Sequence, residues 1–446
     1  MLTAGAAQAQ DGPGDAAERD LLKQAVEIPT VKGRGTMPQM TSLLSAELRK
    51  AGFGRIDIKQ HDETETLIAR LEAPGSPTKK PILLMAHMDV VEAKREDWKH
   101  DPFLFRHEGE FYMGRGVADN KASMVAMIAA LQRLHAAGFE PDRDIVVLLT
   151  GDEETAQNGA LLASTEWKEL IDAEFALNSD GGGGGILPSG KVDYFGIQVA
   201  EKIYADYTFT TVNRGGHSSG PRDDNAIYQL AQALKNLEEY RFPPRLTEIN
   251  RPIWAHTAEN DGGIFGAMVK AWLDEPGNME FADAVESVTP GHTRTRCIAT
   301  TISGGHAPNA LPQKANANVN CRIFPTETPE EIKTLLERIA GPEVSVSLID
   351  GGIPSPPSPL REDVFGAQTR SIQQRWPRAK VVPDMSAGAT DGLYMRAAGI
   401  PTYGVSGLWG YVNEPLGVHG LDERIRAEAF HDDVDHWERI LRELAG

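Results

Sequence analysis

Short apolar runs alternate with longer helical stretches between Glu65 and Asp180. This alternation is typical of an α/β sheet whose strands are connected by crossover helices. From about Lys121 to Ala137 apolar residues recur at helical spacing, and Gly138 follows where a helix commonly ends, so we predict a helix there. The predicted strands are Thr66–Leu71, Ile82–His87, Ile145–Thr150 and Phe175–Asp180.

The pattern changes after the glycine run Gly181–Gly185, and the residues beyond it mix strands and helices as in an α+β domain. No lysine or capped helix follows the run, so we interpret it as a flexible or closely packed turn and not as a phosphate-binding loop. Arg241–Gly291 is a polar segment rich in Pro and Gly that contains Trp254 and Trp272, and we predict no helix or strand in it. The elements predicted here are strands Tyr204–Val212, Cys297–Ser303, Asn316–Phe324 and Val344–Ile349, and helices Asn225–Glu239 and Pro329–Ala340.

Strand-like runs resume at Lys380–Pro383 and Thr402–Val405, after the proline-rich segment Pro354–Pro359. We therefore predict that the first domain is split around an inserted one. The expected division is 15–201 and 354–446 for the first domain and 202–353 for the insert. A chain of 446 residues suits two domains, because a single hydrophobic core stops growing at roughly 250–300 residues.

Charge narrows the range of partners. The chain has 64 Asp and Glu against 45 Lys and Arg, a formal net charge of -19 that would repel nucleic acid and anionic lipid. No apolar run reaches the roughly 18 residues that a membrane-spanning helix needs. We expect no nucleic-acid partner and no membrane span.

Two short features bear on the cellular compartment. Cys297 and Cys321 are too far apart for a Cys-x-x-Cys motif, and we expect them to be reduced core thiols. Ala7-Gln8-Ala9 has the small-x-small pattern of a signal-peptidase site, although neither a basic nor an apolar signal segment precedes it. This pattern predicts a periplasmic or secreted protein, and the alternative is a disordered alanine-rich tail on a cytoplasmic one.

Histidine and acidic side chains follow three of the predicted strands, at the edge where open α/β sheets bind ligands. Carboxylates placed together destabilise each other unless a cation lies among them. Nitrogen and oxygen ligands without thiolate suit zinc, manganese or cobalt. The sequence therefore predicts a catalytic metal site, and its candidate residues are His87, Asp89, Asp119, Glu153, Glu154, Asp180 and His419.

A series of motifs occurs in order along nearly the whole chain after residue 15. The motifs are Ala86-His87-Met88-Asp89, Tyr112-Met113-Gly114-Arg115-Gly116-Val117-Ala118-Asp119-Asn120-Lys121, Gly151-Asp152-Glu153-Glu154, Gly215-Gly216-His217-Ser218-Ser219, Asn309-Ala310-Leu311-Pro312, Thr390-Asp391-Gly392 and His419-Gly420-Leu421-Asp422-Glu423. Together they resemble the metallopeptidase family of aminoacylases, glutamate carboxypeptidase, carnosinase and succinyl-diaminopimelate desuccinylase. The long segment between His217 and Asn309 is most similar to the carboxypeptidase S and N-acyl-amino-acid hydrolase branch.

The resemblance implies a zinc-exopeptidase-like mixed sheet flanked by helices, with an inserted α+β lid domain used for dimerisation. It also implies two divalent metal ions, zinc first, with manganese or cobalt as alternatives. One ion would be held by His87, Asp119 and Asp180, and the other by Asp119, Glu154 and His419. Three carboxylates against two divalent ions leave a charge of only +1 for a bound anion to cancel.

The same resemblance implies catalytic and substrate-binding roles. Glu153 would be the general base, Asp89 would orient the His87 imidazole, and His217 would hold the developing oxyanion, from its own subunit or from a partner. Read alone, His217 is an ordinary loop histidine and Arg322 an exposed strand arginine. The implied substrate-binding residues are Asn309, Arg322 as the grip on a substrate carboxylate, Gly388 and Thr390.

The expected reaction is hydrolysis of the amide bond of an N-acyl amino acid or of the C-terminal residue of a short peptide, by a homodimer. A dipeptidase or a desuccinylase-type deacylase would use the same residues and is the first alternative. A non-catalytic binding protein that keeps the fold is the second.

Overall fold

The computed structural model describes residues 13–446 and divides into two compact units. Of the described residues, unit 1 comprises those up to Ile197 together with Leu360–Val381 and Ile400–Gly446, and unit 2 comprises Gln198–Pro359 and Val382–Gly399. The predicted insert, 202–353, falls within unit 2, whereas the predicted last segment, 354–446, is divided between the units. The Ala7-Gln8-Ala9 prediction lies outside the described residues.

Helices and strands alternate through much of the chain. The helices are α1 Pro13–Val26, α2 Met37–Lys50, α3 Ala122–Ala136, α4 Asn158–Thr165, α5 Lys168–Ile171, α6 Ala226–Glu239, α7 Arg251–Asn260, α8 Ile264–Asp274, α9 Met279–Val288, α10 Pro329–Ala340, α11 Glu362–Arg375, α12 Gly392–Ala397 and α13 Ala427–Leu444, with shorter helical turns at Arg95–Asp97 and Val117–Lys121. The strands are β1 Arg55–His61, β2 Thr64–Leu71, β3 Ile82–His87, β4 Arg106–Glu108, β5 Phe111–Met113, β6 Ile145–Thr150, β7 Phe175–Asn178, β8 Gly183–Ile186, β9 Val192–Glu201, β10 Ile203–Val212, β11 Gly216–His217, β12 Arg296–Gly304, β13 Ala310–Leu311, β14 Lys314–Ile323, β15 Ser345–Gly351, β16 Val381–Ser386, β17 Thr402–Gly404, β18 Trp409–Tyr411 and β19 Arg424–Arg426.

A mixed sheet in the order β1-β2-β6-β3-β7-β17-β9-β8-β18 forms the centre of unit 1, and β16 pairs with β9. Every residue of β3 and β6 is buried, as expected for interior strands covered on both faces. Helix α3 packs against α1, α2 and α13, and α13 turns one face, including Phe430, Val434 and Trp437, into the core. The predicted α/β fold of a mixed sheet flanked by helices is confirmed.

Unit 2 contains a four-stranded antiparallel sheet in the order β12-β14-β10-β15, on which α6 and α10 pack. Alternate residues of β10 and β14, such as Tyr207, Phe209 and Val319, face these helices and are fully buried. Helix α10 begins with a capping box, in which the Thr328 hydroxyl and the Glu331 carboxylate each accept a backbone N–H from the other residue.

Residues 241–291, the polar segment for which the sequence predicted no element, contain three helices. The structure forms α7, α8 and α9 there, and these helices share a small apolar core. The Trp254 and Trp272 rings pack edge to face in it, with centroids 5.7 Å apart. The local pattern is weak because each helix is only 10 or 11 residues long, so packing between the helices decides their formation.

The prediction of two reduced core thiols was also wrong. Cys297 in β12 lies directly opposite Cys321 in β14, with their Cα atoms 4.1 Å apart, and the two form a disulfide. Their separation of 24 residues does not disclose this pairing, because it depends on the register of two antiparallel strands.

The glycine run is closely packed and forms part of β8. A side chain at Gly184 would place its Cβ 2.4 Å from the Phe195 ring, and one at Gly182 would lie 2.8 Å from the Gly404 carbonyl oxygen. The close packing is as predicted, but Gly183–Gly185 lie in a strand and not in a turn. Within residues 13–446 no helix combines the length and the apolar character that crossing a bilayer demands.

Candidate metal centre

Three candidate ligands follow strands of the central sheet. His87 is the last residue of β3, Glu154 comes four residues after the end of β6, and Asp180 comes two residues after the end of β7. Strand β3 runs parallel to both β6 and β7, so their carboxyl ends lie at the same edge of the sheet. In sheets of this kind that edge is where ligands bind.

Asp119 and His419 reach the same edge from loops. The His87 Nε2 atom lies 2.8 Å from Asp119 Oδ1, and His419 Nε2 lies 3.2 Å from Asp119 Oδ2. Asp180 Oδ1 is 3.9 Å from His87 Nε2, and the Glu154 carboxylate is 3.0 Å from His419 Nε2. The structure thus forms two groups that share Asp119, and within each group the ligand atoms lie within 4.8 Å of one another.

These carboxylates favour positive charge at both imidazoles. Burial opposes protonation of His87, but Asp119, Asp89 and Asp180 outweigh burial and raise its pKa well above the usual value. The hydrogen bond with Asp119 raises the pKa of His419 to about 9. Burial and the charge of Asp119 raise the pKa of the Glu154 carboxyl. Two imidazoles and three carboxylates at this spacing supply the nitrogen and oxygen atoms that bind divalent ions, so the residues fit two such ions.

Asp89 holds a loop that carries two of the candidate residues. Its Oδ1 accepts the Glu153 backbone N–H at 3.1 Å, and its Oδ2 accepts the Glu154 N–H at 3.0 Å. The predicted bond from the His87 ring to this carboxylate is long, since Nδ1 lies 3.6 Å from Oδ1. The ring instead has the Asp89 backbone carbonyl at 3.1 Å, so the main chain orients His87. The sequence could not show whether the carboxylate or the backbone carbonyl oxygen of Asp89 orients the ring, because both belong to the same residue.

Glu153 belongs to neither ligand group. Its side chain accepts a hydrogen bond from Gln157 Nε2 at 2.9 Å. The preceding Asp152 is buried, and its carboxylate accepts the N–H groups of Asn158 and Gly159 at the start of α4. The loop between β6 and α4 is therefore fixed at both ends while it presents Glu153 and Glu154 on consecutive positions.

Glu423 is a positioning residue to which the sequence interpretation gave no role. Its carboxylate is fully buried and accepts the backbone N–H groups of Gly116, Ala118 and Asp119 at 2.8–3.1 Å. Arg115 donates to it at 2.6 Å. These bonds fix the turn that presents Asp119. The available signal was the presence of Glu423 in the motif that begins at His419.

In unit 2 the structure brings His217 and Asn309 together. Strand β11 pairs with β13, which places His217 opposite Ala310, and the Ser218 N–H donates to the Asn309 carbonyl at 3.0 Å. His217 is exposed, and its Nδ1 atom is 2.8 Å from the Ser219 hydroxyl. The two residues therefore form one exposed hairpin.

The structure does not bring Arg322 to this hairpin. The hairpin begins beside Lys314, the first residue of β14. Arg322 lies eight residues further along the same strand, a distance of roughly 27 Å. It is half buried, with its guanidinium 4.9 Å from the centre of the Tyr204 ring. The stacked ring orients the guanidinium.

The two remaining candidates of unit 2 differ in exposure. Gly388 is exposed, and its N–H donates to the Ser386 hydroxyl. Thr390 is buried, and both its N–H and its hydroxyl donate to Glu201, which also pairs with Arg396. The Thr390 hydroxyl also accepts the Gly392 N–H, so it is committed to holding its own loop.

Comparison with known proteins identifies relatives over almost the full chain. Residues 83–443 match the sequence profile of "Peptidase family M20/M25/M40". The chain is 27% identical over 436 residues to the mouse protein "N-fatty-acyl-amino acid synthase/hydrolase PM20D1", covering 93% of this chain and 85% of the mouse protein.

Two solved structures share the fold. An M20 family metallo-carboxypeptidase, Sso-CP2 from Sulfolobus solfataricus, superposes with a TM-score of 0.69 at 19% identity, covering 96% of this chain and 98% of that one. The Bacillus subtilis YXEP protein, described as a dinuclear metal binding peptidase, superposes with a TM-score of 0.61 at 14% identity, covering 98% and 99%.

Proposed function

The chain belongs to peptidase family M20/M25/M40, as the sequence predicted, and from this premise we propose the reaction and the substrates of its metal centre. It is a metal-dependent hydrolase of the aminoacylase and carboxypeptidase type. The proposed substrates are N-acyl amino acids, cut at the amide bond, and short peptides, which lose their C-terminal residue. The activities named for the mouse and Sulfolobus relatives support this choice.

One observation carries the proposal, namely that Asp119 lies between two groups of ligand atoms. His87, Asp119 and Asp180 would hold one ion, and Asp119, Glu154 and His419 the other. We propose zinc, with manganese and cobalt as alternatives, because the donors are imidazole nitrogen and carboxylate oxygen. When bound, the ions supply Lewis acidity towards the substrate carbonyl and towards water.

Glu153 is proposed as the general base. It lies on the same fixed loop as Glu154 but outside both ligand groups, so its carboxylate can take a proton. We assign it the transfer of a proton from the attacking water to the leaving amide nitrogen. Asp89 supports this role through its bonds to the Glu153 and Glu154 N–H groups.

The substrate-binding roles in unit 2 are also proposals. His217 would donate a hydrogen bond to the developing oxyanion, and Asn309, on the same hairpin, would bind the substrate beside it. Arg322 would bind the substrate carboxylate, since a guanidinium matches a carboxylate with two parallel hydrogen bonds. Gly388 is exposed enough to line the substrate site, whereas the proposed contribution of Thr390 is to hold the Gly388 loop.

We propose a homodimer. The His217 hairpin follows on from the Lys314 end of β14, whereas Arg322 lies near the other end of that strand, which supports an arrangement in which they serve the sites of different subunits. Light scattering of the purified protein should give twice the mass of the 48.5 kDa chain. A monomer that is fully active would contradict this arrangement.

We propose a periplasmic or secreted location. The Cys297–Cys321 disulfide supports it, because disulfides persist mainly in oxidising compartments. Fractionation of the native host with thiol labelling should find the protein outside the cytoplasm with both cysteines blocked. Cytoplasmic protein with two free thiols would contradict the proposal.

A hydrolysis screen tests the function directly. Metal-stripped protein is supplied with zinc, manganese or cobalt in turn and incubated with N-acyl amino acids, dipeptides and N-succinyl amino acids. We expect metal-dependent release of the free amino acid from the first class. Cleavage of dipeptides or succinyl substrates alone would replace the proposed substrates, and absence of both bound metal and hydrolysis would overturn the proposal.

A further inference from the structure

A cavity of about 330 Å³ opens beside the metal centre, entirely within unit 1. Asp119 and Asp180 line it, so a group that enters it lies next to candidate ligands of the metal ions. Its volume lies in the range of roughly 300–1,000 Å³ that is usual for small-molecule pockets. None of the catalytic and substrate-binding roles proposed above uses this space.

The walls of the cavity are mainly apolar. The glycine run Gly181–Gly184 forms part of the lining and contributes no side chains, which leaves the space open. Among the described residues that line the cavity there is no lysine or arginine. The apolar side chains that line it are Leu408, Trp409, Leu416, Val418 and Ile425.

The polar side chains in the lining already have protein partners. Ser123 donates to Asp433 at 2.8 Å, and Ser406 donates to the same carboxylate at 3.2 Å. The Ser179 hydroxyl donates to Asn120 Oδ1 at 3.1 Å. An apolar group can therefore displace water here without leaving these hydroxyls unpaired, which would otherwise cost free energy.

We propose that this cavity, the acyl cavity, binds the apolar acyl chain of an N-acyl amino acid, so that the enzyme prefers longer acyl groups to acetyl. The inference rests on the proposed function. The acyl carbonyl must reach the metal centre to be hydrolysed, so the chain attached to it begins beside Asp119 and Asp180, where the cavity opens. The carboxylate end of the substrate needs a cation, which the lining does not provide.

Gly410 offers a way to fill the acyl cavity. It lines the cavity, and a Cβ there would meet only Leu416 Cδ2, at an ordinary 3.8 Å. Gly410→Phe therefore places a ring in the cavity without a backbone clash. Gly54→Phe is the matched control, because a Cβ at Gly54 has nothing within 4 Å and Gly54 precedes β1, at the opposite edge of the sheet from β18.

The experiment measures kcat/KM for N-acetyl, N-butanoyl, N-hexanoyl and N-octanoyl derivatives of one amino acid. Each buried methylene contributes up to about 0.8 kcal/mol, equivalent to about a fourfold rise in kcat/KM. We expect Gly410→Phe to lower the octanoyl-to-acetyl ratio at least about tenfold, which corresponds to two or more methylenes losing their contact. Gly54→Phe should keep the wild-type ratio.

Two further measurements keep the inference testable if Gly410→Phe folds poorly. Leu416→Asn changes a wall residue that is 44% exposed, and it should lower the same ratio several-fold without a change in Tm. Titration calorimetry with octanoate gives a readout independent of turnover. Octanoate should bind the wild type and the Gly54→Phe variant equally and the Gly410→Phe variant at least about tenfold more weakly.

A flat acyl series in the wild type, or an unchanged ratio in both cavity variants, would overturn the inference. A second series, N-acetyl amino acids with apolar side chains of increasing size, tests whether the cavity binds the amino-acid side chain instead of the acyl chain. If Gly410→Phe changed that preference and not the acyl preference, the cavity would hold the amino-acid side chain and the inference would be wrong. Absence of hydrolysis with all three ions would overturn the proposed function. The octanoate titration would still show whether the cavity binds an acyl chain.

Discussion

Among the clusters of unit 1 that combine histidine with carboxylates, the one at the sheet edge and the one around His431 differ in what neutralises the negative charge. At the sheet edge, Asp119 and Glu154 form their ion pairs with imidazoles only, within residues 13–446. In the helical cluster, formed by Asp15 and Glu18 of α1 and His431 of α13, the side chains come equally close, but Arg133 donates to Glu18 at 2.6 Å and lies 3.9 Å from Asp15. Arg133 therefore gives the helical cluster a permanent positive charge from the protein itself.

This difference shows that the proximity of histidine and acid does not by itself identify a metal site. The helical cluster is complete as an ion-pair network, and the Tyr112 hydroxyl also contacts the His431 ring at 3.2 Å. Carboxylates that already have a guanidinium partner gain less from a metal ion. We therefore expect ions at the sheet edge and none at the helical cluster.

The strongest test of the comparison removes one carboxylate from each cluster. Asp119→Asn should lose both ions and bring turnover below detection, because Asp119 belongs to both ligand groups. Glu18→Gln should keep both ions and full turnover, and should lower the free energy of unfolding by about 1–3 kcal/mol, because the Arg133 bond is weakened. Metal analysis, a hydrolysis assay and urea unfolding measure these effects. Metal loss in Glu18→Gln, or retention in Asp119→Asn, would reverse the assignment.

Within the sheet edge, Glu153 and its neighbour should behave differently. Glu153→Gln should retain both ions but lose roughly 10²–10⁴-fold in kcat, the usual contribution of a general base. Glu154→Gln should instead lose metal, because its carboxylate is part of a ligand group. Metal content and kcat measured on the same preparations check this. Wild-type kcat in Glu153→Gln would remove it from the mechanism.

Asp89 should have a smaller effect because it acts through the main chain. Asp89→Asn keeps the shape of the side chain but weakens the bonds to the Glu153 and Glu154 N–H groups. We expect metal affinity to fall about 10–100-fold, as is usual when a residue that supports metal ligands is changed. Competition with a chelator measures it. An unchanged affinity together with wild-type turnover would show that the loop needs no such anchor.

The smallest effect concerns His436, a buried histidine whose hydrogen-bond partners are the neutral Ser371 and Gln368. Burial lowers its pKa to about 3, with a further contribution from Arg439, the opposite of the rise at His419. As the pH falls below about 6.5, His436 becomes protonated in the unfolded chain but stays neutral in the folded one. Its contribution to the free energy of unfolding is therefore fully present above pH 6.5 and is lost on acidification.

The expected loss for His436 is about 1 kcal/mol between pH 7.5 and pH 5.5. Urea unfolding at the two pH values measures it, with His436→Gln as the control that should show a correspondingly smaller pH dependence. Equal pH dependence in both proteins would mean that His436 is not held neutral in the fold.

The sequence by itself determined the local elements of unit 1 and the chemistry at their ends. Apolar runs such as Ile82–His87 and Ile145–Thr150 match β3 and β6 to the residue, because a strand buried on both faces needs a continuous apolar segment. His87, Glu154 and Asp180 lie at or just after the ends of predicted strands, so the sequence alone could place them at one edge of the sheet. The motifs were sufficient to predict the family.

The tertiary structure decided everything that depends on contacts between distant residues. The convergence of Asp119 and His419, the bonds from Glu423 to the Asp119 turn, and the Cys297–Cys321 pairing all arise from loop placement and strand register. So does the separation of Arg322 from the His217 hairpin by the length of β14. Periodicity records which face of an element is apolar, but it does not record which other element covers that face, and therefore it cannot supply these distances.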